Sequence, residues 1–133
     1  MGEPRSVSVL VVDDDVDIRE VLSEILVDAG YSVASAGDGV EALALLGQLR
    51  PCLILLDLNM PVMNGRQFRA KQRTDPALST IPTVIMSAVD RMSTLLGELA
   101  PDDALPKPVR FLELMALVRR YCGEATDTAG AAR

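Results

Sequence analysis

Asp57 closes an apolar run, Leu53-Ile54-Leu55-Leu56, and opens a turn through Leu58-Asn59-Met60-Pro61-Val62-Met63-Asn64-Gly65. Four large aliphatics in succession predict a strand buried on both faces. A carboxylate at its end is held at the rim of a sheet, where ligands and reactive groups of open parallel sheets collect. An Asp after a strand also serves as a plain cap, and Asp57 alone does not separate the two readings. Asp13 and Asp14 follow a second apolar run, Val7-Ser8-Val9-Leu10-Val11-Val12. If the three carboxylates share one pocket they repel, a cost hard to justify as structure alone. A hard divalent cation resolves it. Mg²⁺ takes oxygen ligands at roughly 2.0–2.1 Å and keeps several waters, so one or two carboxylates and a carbonyl suffice. The turn after Asp57 can offer the backbone carbonyl of Asn59 for that purpose.

Ser87 ends the run Pro82-Thr83-Val84-Ile85-Met86, and Lys107 stands between Pro106 and Pro108. Serine often ends strands, and a lysine is usually a solvated surface charge. Lys107, however, is one of two lysines against eleven arginines. A compact ammonium suits a single phosphoryl oxygen better than a guanidinium fork does. A hydroxyl and an ammonium beside a metal-bound carboxylate make a site for a tetrahedral oxyanion such as a phosphoryl group. Ala88 is small and leaves room for such a group to approach Asp57.

Positioning these residues together requires a particular scaffold. Val7 to Val12 predicts a first strand, and the Asp13-Asp14-Asp15 run caps a helix whose stripe is Ile18, Val21, Leu22, Ile25 and Ala29, ending at Gly30. A short strand follows over Tyr31 to Ser35. Asp38 and Glu41 form a capping-box-like start to a helix burying Val40, Leu43, Ala44 and Gly47, which Pro51 ends. The Asp57 strand is third. A helix from about Gly65 turns Phe68 inward and stops before Pro76. The strand ending at Ser87 is fourth, and Met92, Leu95, Leu96 and Leu99 mark another helix. Ala104-Leu105-Pro106 is a brief edge strand, since Pro cannot donate to a ladder. Phe111, Leu114, Met115, Val118 and Tyr121 mark a last helix, and residues 123–133 form a flexible C-terminal tail. Strands alternating with helices at this spacing imply a doubly wound five-stranded parallel sheet with right-handed crossovers, and the length fits the strand order 2-1-3-4-5. In that order the first and third strands adjoin, and Asp13, Asp14 and Asp57 converge.

Composition narrows the function classes. A chain of 133 residues is most simply one domain, able to bury roughly two thirds of its unfolded surface. With two Phe, two Tyr and no Trp, its core must be aliphatic. A net charge of −6 argues against a nucleic-acid surface. No apolar stretch reaches membrane-span length and the N-terminus lacks a signal-peptide core, so a cytoplasmic protein is expected. The absence of histidine removes His-based catalysis, metal ligation and phosphorylation together. Cys52 and Cys122 read as isolated thiols with no C-x-x-C pair.

The segments Val11-Val12-Asp13-Asp14, Leu56-Asp57-Leu58-Asn59-Met60-Pro61 with Gly65, Met86-Ser87-Ala88 and Lys107-Pro108 together resemble the receiver domain of two-component response regulators. The likeness covers about residues 6 to 122. It implies a flavodoxin-like, CheY-like three-layer sandwich, with residues 1–122 as the receiver. It also implies that Asp57 is the phosphoacceptor, served by a histidine kinase or a His-containing phosphotransfer protein. Asp14 would bind Mg²⁺ (or Mn²⁺) directly, Asp13 directly or through water, and Asn59 through its carbonyl. Ser87 would bond a phosphoryl oxygen and draw its loop inward, and Lys107 would pair with the phosphoryl group. Lys107-Pro108 would be the cis bond common at this place. Such a chain catalyses only its own phosphorylation and dephosphorylation. With no helix-turn-helix segment in view, the expectation is a stand-alone receiver, a monomer or weak dimer acting through an unknown downstream protein.

Two departures bear on output, and a third, Val109, is a packing change only. Receivers usually carry Tyr or Phe three residues before the lysine, where this chain has Ala104. The stretch from Ser87 to Lys107 is slightly short, and Val109 stands where Phe often follows Lys-Pro. Val89, an apolar residue two places after Ser87, is expected to disfavour an attacking water and slow dephosphorylation. Two other readings remain. An unphosphorylated pseudo-receiver conflicts with the intact acidic set. An aspartate-nucleophile phosphatase needs a general acid two residues after the nucleophile, where Asn59 cannot transfer a proton. Gly37-Asp38-Gly39 is an incomplete nucleotide loop, because Ala42 takes the last glycine place.

Overall fold

The computed structural model describes residues 5–88 and 97–124. Five strands form one parallel sheet: β1 (Arg5–Val12), β2 (Val33–Ala36), β3 (Leu49–Asp57), β4 (Thr83–Ala88) and β5 (Asp103–Lys107). Their order is β2-β1-β3-β4-β5, as expected. The connecting helices are α1 (Val16–Asp28), α2 (Gly39–Leu46), α3 (Gly65–Thr74) and, at the C-terminal end, α4 (Phe111–Cys122). Residues 97–99 are also helical. Of the stripe expected before β5, Leu99 is buried, while Met92, Leu95 and Leu96 lie outside the described residues, as do Val89 and most of the C-terminal tail.

Alternation along the strands builds two cores, one on each face of the sheet. Leu10, Val12, Ile54, Leu56 and Ile85 face α2 and α3, where Phe68 is fully buried. Val9, Val11, Leu53, Leu55, Val84 and Met86 face α1 and α4. Every strand residue of the run Leu53 to Leu56 is fully buried, because helices cover both faces. Full burial of one Leu or Ile side chain stabilises by about 1.5–3 kcal/mol.

Several local expectations need correction. Pro51 does not end a helix. Gly47 caps α2, and Pro51 lies inside β3, opposite Val7 of β1. Pairing with β4 begins only at Ile54, so at Pro51 that edge of β3 is open and a missing N–H is tolerated. The buried face of α2 is Gly39, Ala42 and Leu46, whereas Val40, Ala44 and Gly47 are exposed. Its sequence is apolar almost all round, so periodicity alone could not choose the face. In α1 the core residues are Leu22 and Leu26, and Val21 is exposed. Phe111 is also half exposed, across a groove of about 310 Å³ from Val21. Strand β2 starts at Val33. Tyr31 precedes it as a buried anchor whose hydroxyl donates to the Gly123 carbonyl at 2.7 Å. No helix among the described residues is long and apolar enough to cross a membrane.

Candidate functional site

The three aspartates after β1 divide the local work. Asp15 is the N-cap of α1, accepting from the N–H groups of Asp17 and Ile18. Asp13 is buried, and its Oδ1 accepts the Asp15 N–H at 3.0 Å, which turns the chain out of the strand. Its own N–H bonds the Ala36 carbonyl at the end of β2, and its carbonyl accepts from Arg19 Nη1 at 2.7 Å. Asp14, between them, is exposed. Sequence reasoning missed Arg19. It lies one turn into α1, where a long side chain can reach back to the strand end.

Asp57 is the last residue of β3 and is buried. The turn after it is pinned by two apolar pegs, Leu58 and Met60, while Asn59 is exposed between them. Gly65 starts α3 against that turn. A Cβ at this position would meet the Asp57 carbonyl oxygen at 2.6 Å and the Leu58 Cα at 2.7 Å, so only glycine allows the approach. Asn64 and Gln67 close a full capping box on α3. The same turn holds Val62 at φ +65°, a strained setting for a β-branched side chain.

Lys107 ends β5 and reaches across the top of β4. Its Nζ donates to Asp57 Oδ1 at 2.7 Å and lies 3.4 Å from Asp13 Oδ2. One carboxylate oxygen from each of Asp13, Asp14 and Asp57 lies within 4.8 Å of the others. Ser87 is buried in β4, opposite Pro106 in the ladder, and its chain neighbour Met86 pairs with Asp57. The expected set is therefore assembled at one rim: Asp13, Asp14, Asp57 and Lys107 in direct proximity, Ser87 at the adjoining strand end, and Asn59 in the turn above. The Lys107-Pro108 bond is cis.

The electrostatics are unbalanced. Burial pushes the Asp57 carboxyl above the usual carboxylate range. The charges of Asp13 and Asp14 add to that, and the hydrogen bond and charge of Lys107 do not cancel it. Burial pulls the Lys107 ammonium down, but the hydrogen bond and charge of Asp57, with the charge of Asp13, outweigh it and hold the pKa above the ordinary lysine value. Three carboxylates thus face one ammonium, and the third, Asp14, opens to solvent. An all-oxygen donor set of this kind fits a hard divalent cation.

The chain matches the response regulator receiver domain family over residues 9–119. It is 42% identical over 113 residues to the DNA-binding response regulator MtrA of Mycobacterium tuberculosis, covering 84% of this chain and 48% of that protein. The chain thus spans about half the length of these curated relatives. Among solved structures, it superposes with a TM-score of 0.80 on a signal receiver domain of a histidine kinase from Syntrophus aciditrophicus, at 30% identity, covering 87% of this chain and 89% of the other. The receiver domain of the sensor histidine kinase PA1611 of Pseudomonas aeruginosa shares the fold at 23% identity and a TM-score of 0.77, covering 91% of this chain and 99% of the other. That protein holds a magnesium ion in its active-site cleft.

Proposed function

The chain belongs to the response regulator receiver family of two-component, phosphorylation-based signalling, and from that premise we propose that Asp57 accepts the phosphoryl group. Receivers take that group from histidine kinases, and the donor here is the phosphohistidine of a kinase or of a phosphotransfer protein. A carboxylate oxygen of Asp57 attacks phosphorus, the P–N bond breaks, and the imidazole leaves with its electron pair and takes up a proton. The product is an acyl phosphate, which is nucleophilic catalysis stopped at the covalent intermediate. Oδ1 is held by Lys107, which leaves Oδ2 as the attacking atom.

Asp13, Asp14 and Asp57, with the Asn59 carbonyl, would hold Mg²⁺ or Mn²⁺. When bound, such an ion neutralises charge on the transferring phosphoryl oxygens. Lys107 moves from the carboxylate to a phosphoryl oxygen, and the Ser87 hydroxyl donates to another. Those two new contacts bias a two-state equilibrium of the adjoining loops. With Ala104 in β5 there is no aromatic at that place to report the change, so the readout passes to a partner protein through other groups. Because Asn59 cannot act as a general acid, the chain turns over its own phosphoryl group and no separate substrate.

The observation that carries this reading is the Lys107–Asp57 contact inside the acidic cluster. The test is incubation with Mg²⁺ and acetyl phosphate, followed by intact mass. One phosphoryl adduct is expected, and Asp57→Asn abolishes it. An adduct that persists in that variant moves the acceptor elsewhere.

A further inference from the structure

The two cysteines, which read as isolated in sequence, meet in space. Cys52 lies near the start of β3, level with Ser8 of β1, whose neighbours Val7 and Val9 pair with Pro51 and Leu53. Cys122 is the last residue of α4. The Cys122 thiol donates to the Ser8 carbonyl at 3.3 Å, and the Cys52 sulfur lies 4.0 Å from the preceding carbonyl, that of Val7. The two sulfurs thus lie against consecutive carbonyls of one strand, β1. Cys52 is exposed and Cys122 partly so, so a small reagent reaches the pair. Tyr31 pins the adjacent Gly123 carbonyl, which holds the end of α4 over the sheet.

We propose that Cys52 and Cys122 form a redox-sensitive dithiol, closed to an intramolecular disulfide by hydroperoxides, that fastens the end of α4 to β3. The Cys52 thiolate attacks a peroxide oxygen, the O–O bond breaks, and hydroxide (or an alkoxide) leaves, giving a sulfenic acid. The Cys122 sulfur then attacks the sulfenic sulfur. The S–O bond breaks, and the hydroxyl departs with the Cys122 proton as water. Two thiols and one hydrogen peroxide thus become one disulfide and two waters.

The geometry divides these roles. Burial pushes the Cys122 thiol up to about 12, and the neighbouring Cys52 charge adds to it. Exposed Cys52 is therefore the first sulfur to react. Closing the bond requires the sulfurs to approach to about 2.05 Å. Cys122 can supply the movement, because α4 ends there and Gly123 follows at φ +76°. The pair sits five residues up β3 from Asp57, about 16 Å at the rise of an extended strand. Oxidation therefore leaves the acidic site chemically untouched while clamping a helix that shares a groove with it, lined by Lys107 and Phe111.

The test uses the full chain, reduced and then treated with hydrogen peroxide. The readouts are intact mass after alkylation in denaturant, and non-reducing electrophoresis. The expected product is a monomer that has lost two hydrogens and both alkylatable thiols together, reversed by dithiothreitol. Its Tm should rise by about 10 °C, because the bond closes a long loop. Cys122→Ser should stop at a sulfenic acid on Cys52 that dimedone traps, and Cys52→Ser should leave Cys122 alkylatable. Disulfide-linked dimers as the main wild-type product, or oxidised Cys52 accumulating beside a free Cys122, would overturn the proposal. Phosphorylation by acetyl phosphate, measured in parallel, separates a failure here from a failure at Asp57.

Discussion

The ammonium of Lys107 sits 2.7 Å from Asp57 Oδ1, bridging β5 to β3 across the end of β4. That bridge neutralises one of the three carboxylates gathered there. Its two members make opposite contributions to stability, which gives the first prediction.

In the folded chain the Asp57 carboxyl is held above its unfolded value, so the folded state binds more protons across that window. Stability contributed there is present below the unfolded pKa and is lost as pH rises through the folded one. Asp57→Asn should therefore raise Tm at pH 7 in EDTA, by roughly 2–6 °C, and the gain should vanish at acid pH. Lys107 is also raised, so its contribution is full at neutral pH and fades only as pH climbs through its folded value. Lys107→Ala should cost about 1–3 kcal/mol at pH 7, because it strands buried charge. Thermal melts of both variants against pH check the two signs.

Divalent cation binding should depend more on Asp14 than on Asp13. Asp13 already uses Oδ1 for the Asp15 N–H and has Oδ2 near Lys107, whereas Asp14 is open to solvent. Mg²⁺ at about 100 times its Kd should add roughly 2.7 kcal/mol to the wild type. Titration calorimetry should find a larger loss of affinity in Asp14→Asn than in Asp13→Asn, and equal losses would undo this division of roles.

The carboxyl ends of four of the five strands are legible because Asp13, Asp57, Ser87 and Lys107 each terminate or follow a short apolar run. An aliphatic run that stops at a polar residue marks both the strand and the sheet rim. What was not legible depends on contacts through space. The face of α2 is hidden by a sequence apolar on almost every side, and Pro51 resembles a helix stop because the open edge of β3 cannot be seen from the residues. Nothing in the spacing of Cys52 and Cys122 joins them, since only the packing of α4 beside β1 does so. Arg69 and Gln72 gave no signal either, although both are buried.

Those two residues form a polar clamp from α3 to the segment before β5. Arg69 Nε donates to the Leu99 carbonyl at 3.0 Å, Nη2 to the Ala100 carbonyl at 2.6 Å, and Nη1 to Gln72 Oε1 at 2.8 Å. Gln72 Nε2 in turn donates to Thr83 Oγ1 at 2.9 Å. Arg69→Met should cost about 2–4 kcal/mol, because several buried acceptors lose their donor. Urea denaturation measures that loss, and hydrogen exchange should quicken at the start of β5.

Two substitutions in the turn after Asp57 should act in opposite directions. Gly65→Ala forces a Cβ against the Asp57 carbonyl, costing about 1–3 kcal/mol by overpacking, and it should slow phosphorylation by shifting Asp57. Val62→Gly relieves a β-branched residue at φ +65° and should gain about 1 kcal/mol. Denaturant midpoints and rates with acetyl phosphate report both effects.

The most direct measurement locates the phosphoryl group itself. The chain is phosphorylated with Mg²⁺ and acetyl phosphate and reduced with borohydride, which converts an aspartyl phosphate to homoserine. Peptide sequencing by mass spectrometry then reads the modified position. Homoserine at position 57 alone is the expected result. Homoserine at position 13 or 14, or phosphate retained on Ser87 after reduction, would contradict the assignment of Asp57 as the acceptor.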